Sequence, residues 1–324
     1  MPEASSVIYT SKEEWQREVL KVRSLGINEQ EYVIDLVSKL FYVKPVYILF
    51  KNKARLCISF IALTKGNKII VPIHFFYSAF WIDSTLSDTK YCECLTEFLE
   101  QLQKNYSEVN LRLPIEITDI RPFLWKDFSI DNRYTYIKDL SNSLSYNSST
   151  SKNIKRILSK NYVCVEEELD EKSLQLNMQM FKDLKIFHHK KRESISKLMK
   201  GLAVRQKLMS YNCYLNNKMI ASNIILLDLD NKVAYTLLLN KIEKEIKDDV
   251  HSLLHHFFFT ILKERQFKSV DLLGGDIQSI AAFKSRFNTS LKRHYIVKYR
   301  KRDKLVKHAL LGVKQFLARI ISNF

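Results

Sequence analysis

The chain has 324 residues, with 52 Lys and Arg against 35 Asp and Glu, a formal net charge of +17. Hydrophobic residues at 46% and aromatics at 12% exclude a disordered chain and supply real cores, in two medium domains or one large one. The basic surface should attract phosphates, nucleic acid or anionic lipid, although lysines on solvated faces give the same charge with no partner.

Along the chain, Val7 to Thr10 reads as a strand, and Ser11-Lys-Glu-Glu14 is a capping box that opens a helix. Apolar alternation predicts strands over 46–51, 54–63 and 68–80. A helix over about 90–104 carries Cys94, Leu95, Phe98, Leu99 and Leu102 at helical spacing. Strand 108–113, a short helix around Ile120–Lys126 and strand 133–140 follow. Ser141 to Ser151 holds nine Ser, Asn or Thr in eleven residues and reads as a linker.

The second half repeats the rhythm. A strand is predicted over Tyr162–Glu168, helices over 174–186 and 195–208, and strands over 210–216, 218–228 and 232–239. Asn216–Asn217 marks a hairpin between the first two of these strands. Val250, Leu253, Leu254, Phe257, Phe258, Ile261 and Leu262 form one wide apolar stripe, the clearest helix in the chain. Strand 268–273, helix 277–287 and strand 291–299 complete an order β-α-α-β-β-β-α-β-α-β, which we read as an internal duplication.

Only six glycines occur, against a usual level of roughly 7 per cent, yet Gly274 and Gly275 stand together. They follow the apolar run Val270–Leu273 and precede a helix that Asp276 is placed to cap. Asp271 and Asp276 flank this turn, either orienting a ligand or serving as strand-end and cap residues. Lys284 and Arg286 on the next helix would hold a phosphate or lie on a solvated face. His251 and His255 lie four apart on one helix face, but no Glu follows the first and no third ligand is indicated. They are read as a solvated or pocket-facing pair rather than a metal site, and no metal is expected. No GxGxxG or P-loop pattern occurs, which removes dinucleotide and P-loop NTPase chemistry. The five cysteines show no CxxC spacing and read as reduced thiols.

Three segments carry a family resemblance. Tyr134-Thr-Tyr-Ile-Lys-Asp-Leu-Ser141 followed by Ser151-Lys-Asn-Ile-Lys-Arg156, the unit ending at Asn240 with His251-Ser-Leu-Leu254, and Asp271-Leu-Leu-Gly-Gly-Asp276 with Phe283-Lys284 and Arg286-Phe287 resemble motifs of the FemABX-like branch of tandem GNAT acyltransferases. The likeness covers about 130–299 by motif and 1–129 by element order. It implies an α/β (α+β) fold of two tandem GNAT-like domains, 1–142 and 143–299, each a mixed, mostly antiparallel sheet flanked by helices. The presumed active site lies in the second.

The resemblance further implies transfer of an acyl group to an amine acceptor, with acyl-CoA as the favoured donor. Alternatives are a tRNA-dependent aminoacyltransferase of cell-wall precursors and a non-catalytic module binding an anionic partner. Backbone groups of Thr236, Leu237 and Leu238 would hold the donor carbonyl, while Asn240, Lys244, Lys247 and Ser252 would line the donor site. His251 would accept a proton from the amine, with Asp271 and Asp276 as further catalytic candidates. Gly274, Gly275, Lys284 and Arg286 would meet the substrate, so Gly275→Ala should stay folded and lose binding. The loop 241–249 has no glycine, Asp248 and Asp249 would repel a phosphate at the helix start, and the helical arm of the tRNA-using enzymes has no counterpart.

Residues 300–324 form a basic amphipathic stretch. It would either dock on the domain, the favoured reading, or lie on an anionic membrane. Met1 to Glu14 has no signal-peptide core, and the longest apolar run, Ile69 to Ile82, is broken by Pro72, His74 and Ser78. A cytoplasmic protein, peripheral to the membrane's inner face at most, is expected.

Overall fold

The computed structural model describes residues 6–73, 75–183, 185–242 and 248–303. Ser11 opens the first helix as expected, its hydroxyl accepting from the Glu14 N–H at 3.2 Å. The first half runs β1 (Ser6–Thr10), α1 (Lys12–Leu20), α2 (Glu31–Phe41), β2 (Lys44–Asn52), β3 (Arg55–Lys65), β4 (Lys68–Ile69), β5 (Ala79–Ile82), α3 (Asp88–Asn105), β6 (Glu108–Arg112), α4 (Arg121–Trp125) and β7 (Ser129–Asp139). The second runs α5 (Ser148–Leu158), β8 (Tyr162–Glu168), α6 (Glu171–Asp183), α7 (His189–Ala203), β9 (Leu208–Leu215), β10 (Lys218–Asp228), β11 (Val233–Lys241), α8 (Val250–Glu264), β12 (Ser269–Asp271), α9 (Gln278–Ser285) and β13 (Ser290–Arg300). Asn216 and Asn217 both take positive φ, 50° and 61°, as a two-residue hairpin requires.

Two sequence readings need correction. The Ser/Asn-rich stretch read as a linker contains the start of α5, where the Asn147 side chain accepts from the Thr150 N–H at 2.8 Å. Such residues suit caps as well as linkers, and Ile154 and Ile157 then bury the helix's inner face. The strand expected over 68–80 is instead β4, a connecting segment and β5. Phe75 and Tyr77 in that segment are buried, so its apolar residues pack without a ladder.

Among the described residues, thirteen strands form one sheet in the order β1-β2-β3-β4-β6-β13-β7-β12-β11-β10-β9-β8, with β5 beside β3. The sheet is mixed and mostly antiparallel, with parallel pairs at β4/β6 and β11/β12. The expectation of a separate sheet in each half is therefore corrected: the ladder is continuous. Its continuity comes from an exchange of last strands. β7, which ends the first half, pairs with β12, and β13, which ends the second, lies between β6 and β7. Backbone hydrogen bonds thus cross the junction, and pulling the halves apart would expose unpaired N–H and C=O groups.

Helices cover both faces. On one, α1, α2, α6 and α7 share a single core from both halves, including Trp15, Val37, Leu174, Leu198 and Leu202. On the other, α3 and α4 bury Phe98, Leu102 and Phe123 over the first half, while α5 and α8 bury Ile157, Leu254 and Phe258 over the second.

Candidate functional site

The sheet opens where β11 and β12 part. They pair in parallel over only three positions, Val233↔Ser269, Ala234↔Val270 and Tyr235↔Asp271. Beyond these, β11 stays with β10 up to Lys241. The chain after β12 follows β7 instead: Leu272 N–H donates to Tyr136 O at 2.9 Å and Gly275 N–H to Tyr134 O at 2.7 Å. A V-shaped gap between 236–241 and 272–275 results. Its β11 lip carries a bulge, since Ile224 faces Leu238 while Ile225 faces Thr236, leaving Leu237 as the extra residue. Thr236, Leu237 and Leu238, expected to hold a donor carbonyl, are therefore the residues at which the strand breaks register. Thr236 Oγ1 is buried without a partner.

Asp271 lies at the base of the gap, 2% exposed. Its carboxylate accepts from Tyr77 Oη at 2.8 Å, from Leu273 N–H at 2.8 Å and from the Thr135 hydroxyl. Burial nonetheless holds its pKa above the usual carboxylate range, against the lowering effect of those donors. Tyr77 comes from the segment between β4 and β5 in the first half, and its phenol is pushed up by burial and by Asp271. Beside it Phe76 packs on Tyr235 with ring centroids 4.4 Å apart. That segment is anchored by Asn28, whose side-chain amide donates to Tyr77 O at 3.0 Å. The first half thus closes one face of the gap.

The Gly-Gly turn forms the other lip. Gly274 takes φ +55°, and Leu273 before it φ +48°. Gly275 does not need a positive φ; a Cβ there would meet Tyr134 O at 2.9 Å and Tyr134 C at 3.1 Å. It is glycine because β7 passes so close. Asp276 does not cap α9 as expected: its Oδ1 accepts from Tyr134 N–H at 3.0 Å, Oδ2 lies 3.5 Å from Arg133, and Ile277 takes the N-cap position without a side-chain bond. The carboxylate is drawn to the edge of β7, where an N–H and a guanidinium both face it.

Lys284 is not a free phosphate ligand. Its ammonium donates to the carbonyls of Leu272 (2.7 Å), Leu273 and Gly274 (2.8 Å), using all three N–H bonds to tie α9 to the turn. Burial lowers its pKa to about 8, partly opposed by Asp271 and Asp276. Arg286 is half exposed and stands 3.9 Å from Asp249.

The histidines are not a solvated pair. His255 is fully buried, stacked on Phe287 at 4.7 Å, with Nδ1 2.7 Å from His251 O. Burial depresses its pKa to about 3. His251 packs against Phe283 at 6.0 Å, and burial followed by Lys241 lowers its pKa to about 4. Both rings are neutral at pH 7, and each has an enclosed Nε2 without a partner. Asn223, on the neighbouring strand, likewise has both carboxamide atoms unpartnered.

The start of α8 is filled by its own carboxylates. Asp249 caps it, accepting from Ser252 N–H at 3.3 Å and Ser252 Oγ at 2.7 Å. Ser252 is fully buried and both its donors are taken, which corrects its expected role in the donor site. Asp248 accepts from Arg156 (2.8 Å), Lys160 (2.5 Å) and Tyr162 (2.9 Å), and its pKa falls to about 2, led by the Lys160 bond. Asn240 donates to Leu176 O at 2.7 Å, tying β11 to α6. Lys244, Lys247 and all but the first residues of 300–324 lie outside the described residues.

Sequence reasoning missed Tyr77, Thr135 and Phe76. Tyr77 lies 194 residues from Asp271, inside a run read as strand, and no local pattern distinguishes it. Thr135 lay in a predicted strand, but which residue its side chain faces is set by the exchange of β7.

No protein-family model matches the sequence, and no curated protein matches it. Among solved structures, one described as FemX superposes with a TM-score of 0.64 at 11% identity, covering 93% of this chain and 99% of that one. L-PGS from Bacillus licheniformis superposes at 0.51 and 13% identity, covering 90% and 93%. The C-terminal domain of a putative lysylphosphatidylglycerol synthetase from Agrobacterium fabrum gives 0.51 and 8% identity, covering 90% and 94%. Identity this low speaks to architecture and not to substrate. With the parted β11/β12 pair and the doubled element order, the likeness shows that this chain shares the overall fold of FemX.

Proposed function

We propose that the protein transfers an acyl or aminoacyl group to an amine in the gap between β11 and β12. The observation that carries this reading is the bulged, unpaired edge of β11 facing the Gly274–Gly275 turn. It offers backbone groups to a donor carbonyl beside a segment that the acceptor can approach. The amine attacks the carbonyl carbon, a C–N bond forms, the C–S or C–O bond of the donor breaks, and the amine proton leaves with the departing group or to water. Positioning supplies most of the rate. His251 acts here as a neutral hydrogen-bond acceptor, because charging its enclosed ring is opposed by about 3 kcal/mol relative to a free histidine. Asp271 and Tyr77 hold the base of the gap in register across the two halves.

The start of α8 bears on the donor. Asp249 and Asp248 occupy the end at which a diphosphate would sit, and on that ground our proposal departs from the acyl-CoA expected from the sequence and takes an aminoacyl ester as donor. A thermal-shift titration with acetyl-CoA, longer acyl-CoAs and aminoacyl-tRNA, followed by transfer to a panel of amines, tests both levels. Stabilisation by aminoacyl-tRNA and not by CoA esters is expected. Stabilisation by CoA esters alone would overturn the choice of donor. Neither stabilisation nor transfer with any donor would overturn the enzyme reading in favour of a binding module.

A further inference from the structure

The helical hairpin of α6 and α7 ends in an exposed tip. Its base is firmly held: Leu174, Phe181, Ile195, Leu198, Met199 and Leu202 are buried, and α7 lies so close to α2 that a Cβ on Gly201 would meet Leu36 at 2.5 Å. From Lys182 to Lys191, every described residue is exposed. Ile186 is 41% and Phe187 36% exposed, Phe187 resting one side of its ring on Phe181 with centroids 5.3 Å apart, and Lys182, Lys185, Lys190, Lys191 and Arg192 flank them in the chain. The two acids nearby are already engaged, Asp183 by Gln179 at 2.7 Å and Glu193 by Lys197 at 2.7 Å.

The tip is shaped rather than loose. Ile186 N–H donates to Phe181 O at 3.1 Å, and Arg192 donates to Phe187 O at 3.0 Å. Lys185 and Phe187 take left-handed φ of 52° and 61°, a conformation that is uncommon for bulky side chains and persists when the surroundings impose it. The corresponding turn of the first half is covered. Leu25, Ile27, Asn28 and Glu29 are buried there, Arg23 pairs with Glu29, and Ile27 N–H donates to Asp228 Oδ2 at 2.9 Å. One hairpin turn of the duplicated fold is spent on joining the halves; the other projects, apolar at its centre and cationic around it.

We propose that this tip docks on an anionic lipid bilayer, with Ile186 and Phe187 at the boundary of the acyl chains and the lysines among the lipid phosphates. Cations around an exposed aliphatic and aromatic pair match the layering of a bilayer surface, whereas a nucleic-acid backbone gives Ile186 nothing to bury. This surface is independent of the acyl-transfer reading, and its test needs no donor.

Co-sedimentation of the full chain with phosphatidylcholine vesicles, alone or mixed with phosphatidylglycerol at about 7:3, reads the interaction directly. Binding to the anionic vesicles alone is expected, falling as salt rises. Lys190→Gln/Lys191→Gln should weaken partitioning about 30-fold, two charges at about 1 kcal/mol each. Ile186→Ser/Phe187→Ser should weaken it about tenfold. The lysine variant replaces exposed side chains and should keep the parent melting temperature; Ile186→Ser/Phe187→Ser also gives up the contact of Phe187 with Phe181, so each variant's melting temperature is measured first and the vesicle assay is run well below it. Absence of vesicle binding by the parent chain overturns the proposal. So does undiminished binding by both variants, which places the contact elsewhere, and so does binding to structured RNA that needs the lysines but not Ile186 and Phe187.

Discussion

Alanine at Gly274 and alanine at Gly275 should have unequal costs, in the order opposite to that suggested by backbone conformation alone. Gly274 has the left-handed φ, but a Cβ there has room, its nearest neighbour being Lys284 Nζ at 3.8 Å. Its cost is the left-handed conformation itself, about 1 kcal/mol. Gly275 has an ordinary φ, yet its Cβ would lie 2.9 Å from Tyr134 O and 3.2 Å from Tyr134 Cβ. Tyr134 O belongs to the main chain of β7 and Tyr134 Cβ is fixed by that main chain, so neither can rotate away. The strand must move, which weakens the 2.7 Å bond from Gly275 N–H to Tyr134 O and the 3.0 Å bond from Tyr134 N–H to Asp276. Overpacking at about 1–3 kcal/mol and roughly 1 kcal/mol for the loosened bonds give about 2–4 kcal/mol in all. At roughly 2 °C per kcal/mol for a chain of this length, Gly275→Ala should melt about 4–8 °C below the parent and Gly274→Ala about 2 °C below. Calorimetry of the two variants side by side, with hydrogen exchange at the Gly275 amide, measures this. A Gly274→Ala variant as destabilised as Gly275→Ala, or more so, would refute the packing argument. Gly275→Ala should still fold, so any loss of ligand binding in it has to be judged against the displaced β7.

Other perturbations follow from the same contacts. Tyr77→Phe removes a donor from the buried Asp271 carboxylate and should cost about 1–3 kcal/mol, with faster hydrogen exchange in residues 75–78; unchanged stability would mean that the Asn28 bond to Tyr77 O and the packing of Phe75 and Phe76 hold the segment without the phenol. Lys284→Arg should fare little better than Lys284→Met, each losing about 2 kcal/mol, because a planar guanidinium cannot reach three carbonyls converging on one nitrogen; full rescue by Arg would refute the three-carbonyl clamp. The Lys284 ammonium titrates lower in the fold than in the open chain, so its contribution should make the parent gain stability as pH rises from about 8, a gain absent in Lys284→Met. Asp248 has the opposite sign to a raised carboxyl. Its folded pKa of about 2 lies below the open-chain value, so its stabilisation is present above about pH 4 and is lost as pH falls towards 2. Asp248→Asn should flatten that part of the urea-unfolding profile, and an unaltered acid limb would show that Arg156 and Lys160 do not hold it.

The sequence by itself determined the element order, the doubling of that order and the place of the Gly-Gly turn, because each rests on local rules: side-chain periodicity, cap chemistry and the φ range of glycine. Asn216–Asn217, Ser11 and the apolar stripe of α8 were legible for the same reason. Tertiary structure alone decided what those residues do to one another. The exchange of β7 and β13 puts Thr135 and Tyr134 against the turn, turns Asp276 away from its helix and makes Gly275 a packing residue. It also joined two expected sheets into one, since ladder hydrogen bonds form between whichever edges meet and carry no label in the residues that form them. Lys284 and Ser252 looked like ligands because their side chains are polar and well placed along the chain. Burial made them structural, because a polar group removed from water must first satisfy its own hydrogen bonds, and the nearest partners were carbonyls of the turn and the carboxylate of the cap.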